Sequence, residues 1–157
     1  MRESIGGSSL LNIVIVFAGL VIAVFIGILS YTKAYRIKNR IIEIIEKHED
    51  YNETIAENEI NPDLKAAGYD SSTSKDRCDN IKTKITTGEN LKYEGSALTE
   101  NLNENNGYNY CVFELTGANS KIYVVVTFIR FEIPIINDVL TFPVYGETKT
   151  LGIDYNY

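Results

Sequence analysis

Apolar residues are bunched at one end of this chain. Leu10 to Leu29 runs for 20 residues without a charge, and Asn12 is its only strongly polar side chain. Coiled as a helix, such a run spans about 30 Å, the thickness of a bilayer's hydrocarbon core. A secretory signal peptide is the competing reading. The run is longer than an ordinary signal core, and no small-x-small cleavage site follows before Tyr31–Thr32–Lys33. The pattern therefore predicts a retained transmembrane anchor. Gly19, Ala23 and Gly27 recur every four positions within it. They either let a second helix approach closely or simply reflect how common small residues are in membrane helices. Asn12, near one end, suits interfacial solvation or a hydrogen bond to a neighbouring helix.

The helical pattern continues beyond the apolar run. Ser30 to Glu49 contains no Gly or Pro. Ala34, Ile37, Ile41, Ile44 and His48 fall at heptad-like spacing, and Ile42 and Ile45 widen the stripe. Lys33, Arg36, Lys38, Arg40, Glu43, Glu46, Lys47 and Glu49 occupy the other face, with Glu43 and Lys47 in the favourable i,i+4 order. One continuous helix is expected from about Gly7 to about Asp50, its second half amphipathic. Part of the stripe should cover the chain's own sheet.

Beyond Asp50 the pattern changes. Tyr51 to Ala67 is polar and partly helical, with Pro62 as a first-turn residue and Asn61 as its cap. Asp70 to Asp79 reads as a loop. The Asn-rich run from Asn101 to Gly107 contains Asn106–Gly107, a strong turn signal. Three strands follow: Tyr108 to Leu115, Lys121 to Ile133, and Val139 to Tyr145. Gly117–Ala118–Asn119–Ser120 turns between the first two, and Pro134 ends the second. Gly146 is expected to interrupt the third strand, with Glu147 to Leu151 continuing it. In the second strand Ile122, Val124, Val126 and Phe128 alternate with Tyr123, Val125, Thr127 and Ile129. Both of its faces are apolar, so both should be covered, one of them by the helix. The fold class expected is α+β: a long N-terminal helix packed on a small antiparallel meander.

The chain has 157 residues, a net charge of −6, one His, two Cys and no Trp. That balance argues against a nucleic-acid partner, and the inventory excludes a His/Cys zinc site. Residues 1–49 hold six of the 15 cations and four of the 21 acids, so the anchor is mildly basic and the remainder acidic. No phosphate-binding Gly-rich loop, nucleophile elbow or CxxC pair occurs. No catalytic or metal residue is nominated, no cofactor is expected, and the chain is not read as an enzyme. His48 is a packing or interfacial residue. Glu57–Asn58–Glu59 and Asp76 to Asp79 lack the spaced oxygens of a calcium loop and read as solvated surface. The 11 Tyr suit either an exposed contact surface or a composition rich in Ile, Asn, Lys and Tyr. Cys78 and Cys111 are either a disulfide formed in an oxidising compartment or two separate thiols. Topology signals conflict. The cations after the apolar run put the following domain in the cytoplasm, whereas a disulfide puts it outside.

Two stretches resemble a known family. One is Glu3–Ser4–Ile5–Gly6–Gly7–Ser8–Ser9 leading into the apolar run and on to Tyr31–Thr32–Lys33–Ala34. The other runs from Tyr123 through Pro134 to Ile135, followed by Leu140 to Thr148. Together with the two Cys they resemble the type IV pilin superfamily, most closely the TadE-like pseudopilins of the tight-adherence pilus system. The match covers about half the chain.

The resemblance implies a pilin-like fold, a cytoplasmic N-terminus and an extracytoplasmic C-terminal domain. It also implies processing by a prepilin peptidase after a Gly. Cleavage after Gly7 would make Ser8 the new N-terminus and Asn12 the fifth mature residue, where such pilins usually carry Glu. The expected layout is a leader-like segment at 1–9, a transmembrane helix at 10–31, an amphipathic extension at 32–50 and an extracytoplasmic domain at 51–157. Expected partners are the lipid bilayer, other pilin or pseudopilin subunits packed through Gly19, Ala23 and Gly27, and the peptidase. Ala34, Ile37, Ile41, Ile44 and Ile45 would pack on a subunit or on the chain's own sheet. The function expected is a minor subunit of an adhesion or secretion filament. The alternative is a single-pass anchored binding domain that uses its Asn- and Tyr-rich loops as a ligand surface.

Overall fold

The computed structural model describes residues 3–69, 75–86, 98–103, 109–117, 120–132 and 139–152. The expected turn at Asn106–Gly107, the inner turn residues Ala118 and Asn119, and the strand stop at Pro134 lie outside the described residues. The architecture is α+β. Helix α1, Glu3–His48, is a single helix of 46 residues, about 69 Å long at 1.5 Å per residue. It matches the expected continuous helix at both ends within a few residues. Glu49, with a φ of 54°, turns the chain out of it.

α1 divides sharply at Ala34. Upstream, large apolar side chains such as Leu10, Phe17, Phe25 and Leu29 stand more than half exposed. Downstream, Ala34, Ile37, Ile41, Ile44 and Ile45 are buried and Ile42 packs against the same core. The heptad stripe is thus spent on the chain's own sheet. His48, expected at its end, lies outside it. Its Nε2 is 2.7 Å from Glu59 Oε1, and Glu59 also accepts from Lys47 at 3.0 Å. Lys47 therefore reaches Glu59, while Glu43 accepts from Arg40 at 2.9 Å in place of the expected i,i+4 partner. Contact with the folded-back segment 53–66 decides these pairings, and helix spacing alone does not encode it.

That segment comprises α2, Glu53–Ile55, a π-helical stretch Ala56–Ile60, and α3, Asn61–Ala66. Asn52 caps its start by accepting from the Ile55 N–H at 2.9 Å. Asn61, expected to be a cap, is itself helical, because the π-helical stretch hands the backbone straight on into α3. Gly68, at φ 60°, ends α3, and Tyr69 N–H closes the turn on Leu64 C=O at 2.8 Å.

Strands β1 (Tyr110–Thr116), β2 (Ser120–Glu132) and β3 (Val139–Glu147) form an antiparallel meander, and β4 (Leu151–Gly152) pairs with the start of β2. Tyr110, Val112, Tyr123 and Val125 face α1. Cys111, Phe113, Val124, Val126 and Phe128 face the other way. A further helix, α4 (Lys75–Thr86), covers that second face with Cys78, Ile81 and Ile85. This corrects the expected loop, Asp70 to Asp79, over its second half, Lys75 to Asp79; Asp70 to Ser74 lie outside the described residues. Cys78, Ile81 and Ile85 sit at helical spacing, which the polar residues around them obscure.

The third strand also differs from expectation. Gly146 does not interrupt β3; it pairs with Val125 in register. A Cβ at that position would meet Lys38 Cδ at 2.6 Å and Ile42 Cδ1 at 2.8 Å. Gly is there so that α1 can lie on the strand. The real break comes at Thr148, whose Oγ1 accepts from Tyr123 N–H at 3.0 Å while its own N–H donates to Tyr123 C=O at 3.0 Å.

Candidate functional site

Cys78 and Cys111 are disulfide-bonded across a separation of 33 residues. The bond ties α4 to β1 and closes the second core. On the chain-entropy model a loop of this length contributes about 3–4 kcal/mol. The outer edge of β1 is covered by residues 98–103. Thr99 N–H donates to Glu114 C=O at 3.0 Å, and Leu102 N–H donates to Val112 C=O at 2.8 Å.

Asn101 and Asn103 are part of that cover and are buried. Asn101 Oδ1 accepts from Val112 N–H at 3.0 Å, and Asn103 Nδ2 donates to Tyr110 C=O at 2.7 Å. Tyr51 Oη lies 3.3 Å from Asn103 Oδ1 and 3.2 Å from Tyr110 Oη. Burial pushes the Tyr110 hydroxyl up from its ordinary value. Tyr69 Oη receives Phe128 N–H at 2.9 Å and donates to Asn109 C=O at 2.9 Å. Tyr51, Tyr69, Tyr110 and Tyr123 are thus buried, as is Asn109. The described part of the expected Asn- and Tyr-rich ligand surface is interior. Asn101, Asn103 and Tyr69 thus supply side-chain partners to backbone groups at the irregular edge.

The unsatisfied surface lies elsewhere, on α1 upstream of Ala34. The most apolar stretch of this helix is long and apolar enough to cross a membrane, and none of it is buried against the domain. Gly6, Gly7 and Ser8 lie in its first turns. Asn12 and Ala23 are exposed, Gly27 is half-exposed, and Gly19 has open space where a Cβ would stand. Gly19, Ala23 and Gly27 share one face of the helix, and at Gly19 that face is open for packing.

Where α1 meets the domain, a collar of charge begins. Lys33 Nζ donates to Gly68 C=O. Lys38 is buried along its stem, and its Nζ sits 4.2 Å from the Tyr35 ring centroid. Arg40 is 2.7 Å from Asp63 Oδ2 and 2.9 Å from Glu43 Oε2. The hydrogen bonds to Asp63 and then Glu43 raise its already high pKa. Most cations of the collar are therefore docked onto the domain. An open groove of about 690 Å³ lies between α1 and α3, with Leu29 at one end and Asp63 at the other.

Among the described residues, no group of three or more His, Cys, Asp or Glu side chains is placed to hold a metal ion. Comparison with protein-family models, with curated proteins and with solved structures returned no match.

Proposed function

We propose that the chain is a membrane-anchored structural subunit, a minor pilin or pseudopilin of a tight-adherence-type pilus or secretion filament. One observation carries this reading. An exposed apolar helix continues without a break into the helix that seats a disulfide-closed sheet domain. Such a helix both holds the chain in a bilayer and offers a rod for packing against other helices.

In this reading the N-terminus is cytoplasmic and the domain extracytoplasmic. The disulfide supports that orientation, because such bonds persist in oxidising compartments. The collar also weakens the opposing charge count. Lys33 and Arg40 are engaged by the domain's Gly68 carbonyl and Asp63 carboxylate, and Lys38 by the Tyr35 ring of α1 itself. Asn12, a neutral residue five positions after Gly7, favours a second reading, a permanently anchored accessory that does not join the filament. The burial of Asn101, Asn103 and Asn109 removes part of the ligand surface that such a binding domain would use.

The test is a chromosomal deletion, with surface filaments imaged and adhesion scored. A photoreactive residue at Gly19 or Ala23 is used alongside it. The subunit reading expects filaments to be lost or shortened and the probe to capture other pilin-type helices. Normal filaments together with a probe that labels only lipid would contradict it.

A further inference from the structure

We infer that the groove between α1 and α3 is a binding site for the headgroup of an anionic phospholipid in the leaflet nearest the domain. The site rests on Leu10–Leu29 being a membrane span but not on filament assembly. Its position follows from helix geometry. With Leu29 at the edge of the hydrocarbon core, Lys33 lies about 6 Å and Arg36 about 10 Å further along the axis. The polar zone on each side of a bilayer is only about 5–8 Å deep. Side chains on a helix slant toward its N-terminus, so Arg36 leans back toward the lipid.

The groove has the chemistry for a phosphodiester. Thr32, Lys33, Arg36, Asn39 and Arg40 line it, and Leu29 makes it continuous with the apolar surface. Lys33, Arg36 and Arg40 against Glu43 and Asp63 leave the groove one positive charge in excess, and both carboxylates bond Arg40, which places that excess at the Lys33–Arg36 end. Lys33 spends one donor on Gly68 C=O and keeps two. Among the described residues Arg36 has no hydrogen bond or ion pair within the chain, although its neighbours in the collar are engaged. The Thr32 hydroxyl is spent on Ile28 C=O at 2.8 Å, so the exposed guanidinium at headgroup depth, beside the Asn39 amide, is the group arranged to grip phosphate in a forked geometry. A groove of about 690 Å³ accommodates a headgroup.

The experiment uses the full chain, purified in mild detergent. It is titrated with phosphatidylglycerol and phosphatidylcholine of equal chain length, and bound lipid is counted by native mass spectrometry. Phosphatidylglycerol is expected to bind at least about fivefold tighter, the worth of one cation near a membrane surface. Arg36→Gln should remove about fivefold of that preference and Arg36→Lys should keep part of it. Lys149→Gln, on the far side of the sheet break, should leave it unchanged. Equal affinity for the two lipids, or an undiminished preference in Arg36→Gln, overturns the site. Carbonate extraction of native membranes separates the two ideas. Release of the chain overturns the anchor and the site together. Retention without headgroup preference overturns the site alone.

Discussion

Asp50 sits where the long helix gives way to the domain, and it takes hydrogen bonds from Lys121 Nζ at 2.8 Å and Tyr123 Oη at 2.7 Å. Partial burial alone would raise its carboxyl. The hydrogen bonds from Lys121 and Tyr123, with the charge of Lys121, outweigh that and hold it below the ordinary 3.8. Its contribution is therefore full above about pH 4 and is lost as pH falls through the lower folded value. With nearly half of the Asp50 side chain exposed, solvent screening keeps the effect under about 1 kcal/mol. Urea unfolding should show Asp50→Asn less stable than the parent at pH 7, with the gap narrowing as pH is lowered below about 4; a gap unchanged by pH would refute the pairing. Gly146 makes the second residue-scale case. Gly146→Ala drives a methyl into the stem of buried Lys38 and should cost about 1–3 kcal/mol. Adding Lys38→Ala should recover part of that loss, since contacting sites are not additive. Nothing in the sequence near Gly146 announces this, because the residue that requires glycine lies over a hundred positions away.

At the scale of elements, legibility followed locality. The α1 stripe from Ala34 to Ile45 and the two apolar faces of β2 repeat at their own periods, so both elements could be read from the residues alone. The strands appear within two residues of their expected limits wherever the chain is described. Helix α4 was not legible, since its buried side is only Cys78, Ile81 and Ile85 among charged and amide residues. The roles of Asn101 and Asn103 were equally hidden, because a buried Asn that completes a sheet edge looks like a loop Asn in sequence. The division of α1 at Ala34 has a direct consequence. A fragment beginning at Ser30 should retain the whole buried stripe, the Lys33–Gly68 contact and both cores. It is expected to be soluble, to unfold cooperatively, and to match the detergent-purified full chain in amide exchange of β1 and β2. Loss of protection in those strands would show that the apolar half of α1 supports the domain, which the exposure of Leu10 to Leu29 contradicts.

Taken whole, the molecule is a rod with a domain at one end, basic along the rod and acidic in the domain. Its cores are complete without the first half of the rod, so that half is present for something outside the chain. In the proposed function a bilayer would satisfy it along its length, and neighbouring helices would satisfy the face bearing Gly19, Ala23 and Gly27. The covalent clasp between Cys78 and Cys111 fits a domain that works outside the reducing cytoplasm. Architecture was open to a reading of the residues; the identity of the partners was not, since the exposed first half of the rod, Leu10 to Leu29, is almost wholly apolar and specifies depth better than company. The most direct test is the intact mass of the protein recovered from its native membrane without reductant. The account expects a chain that still contains Leu10 to Leu29, starting at or before Ser8, and lighter by the two hydrogens lost in forming the disulfide. A chain starting near Lys33, or one carrying two free thiols, would contradict it.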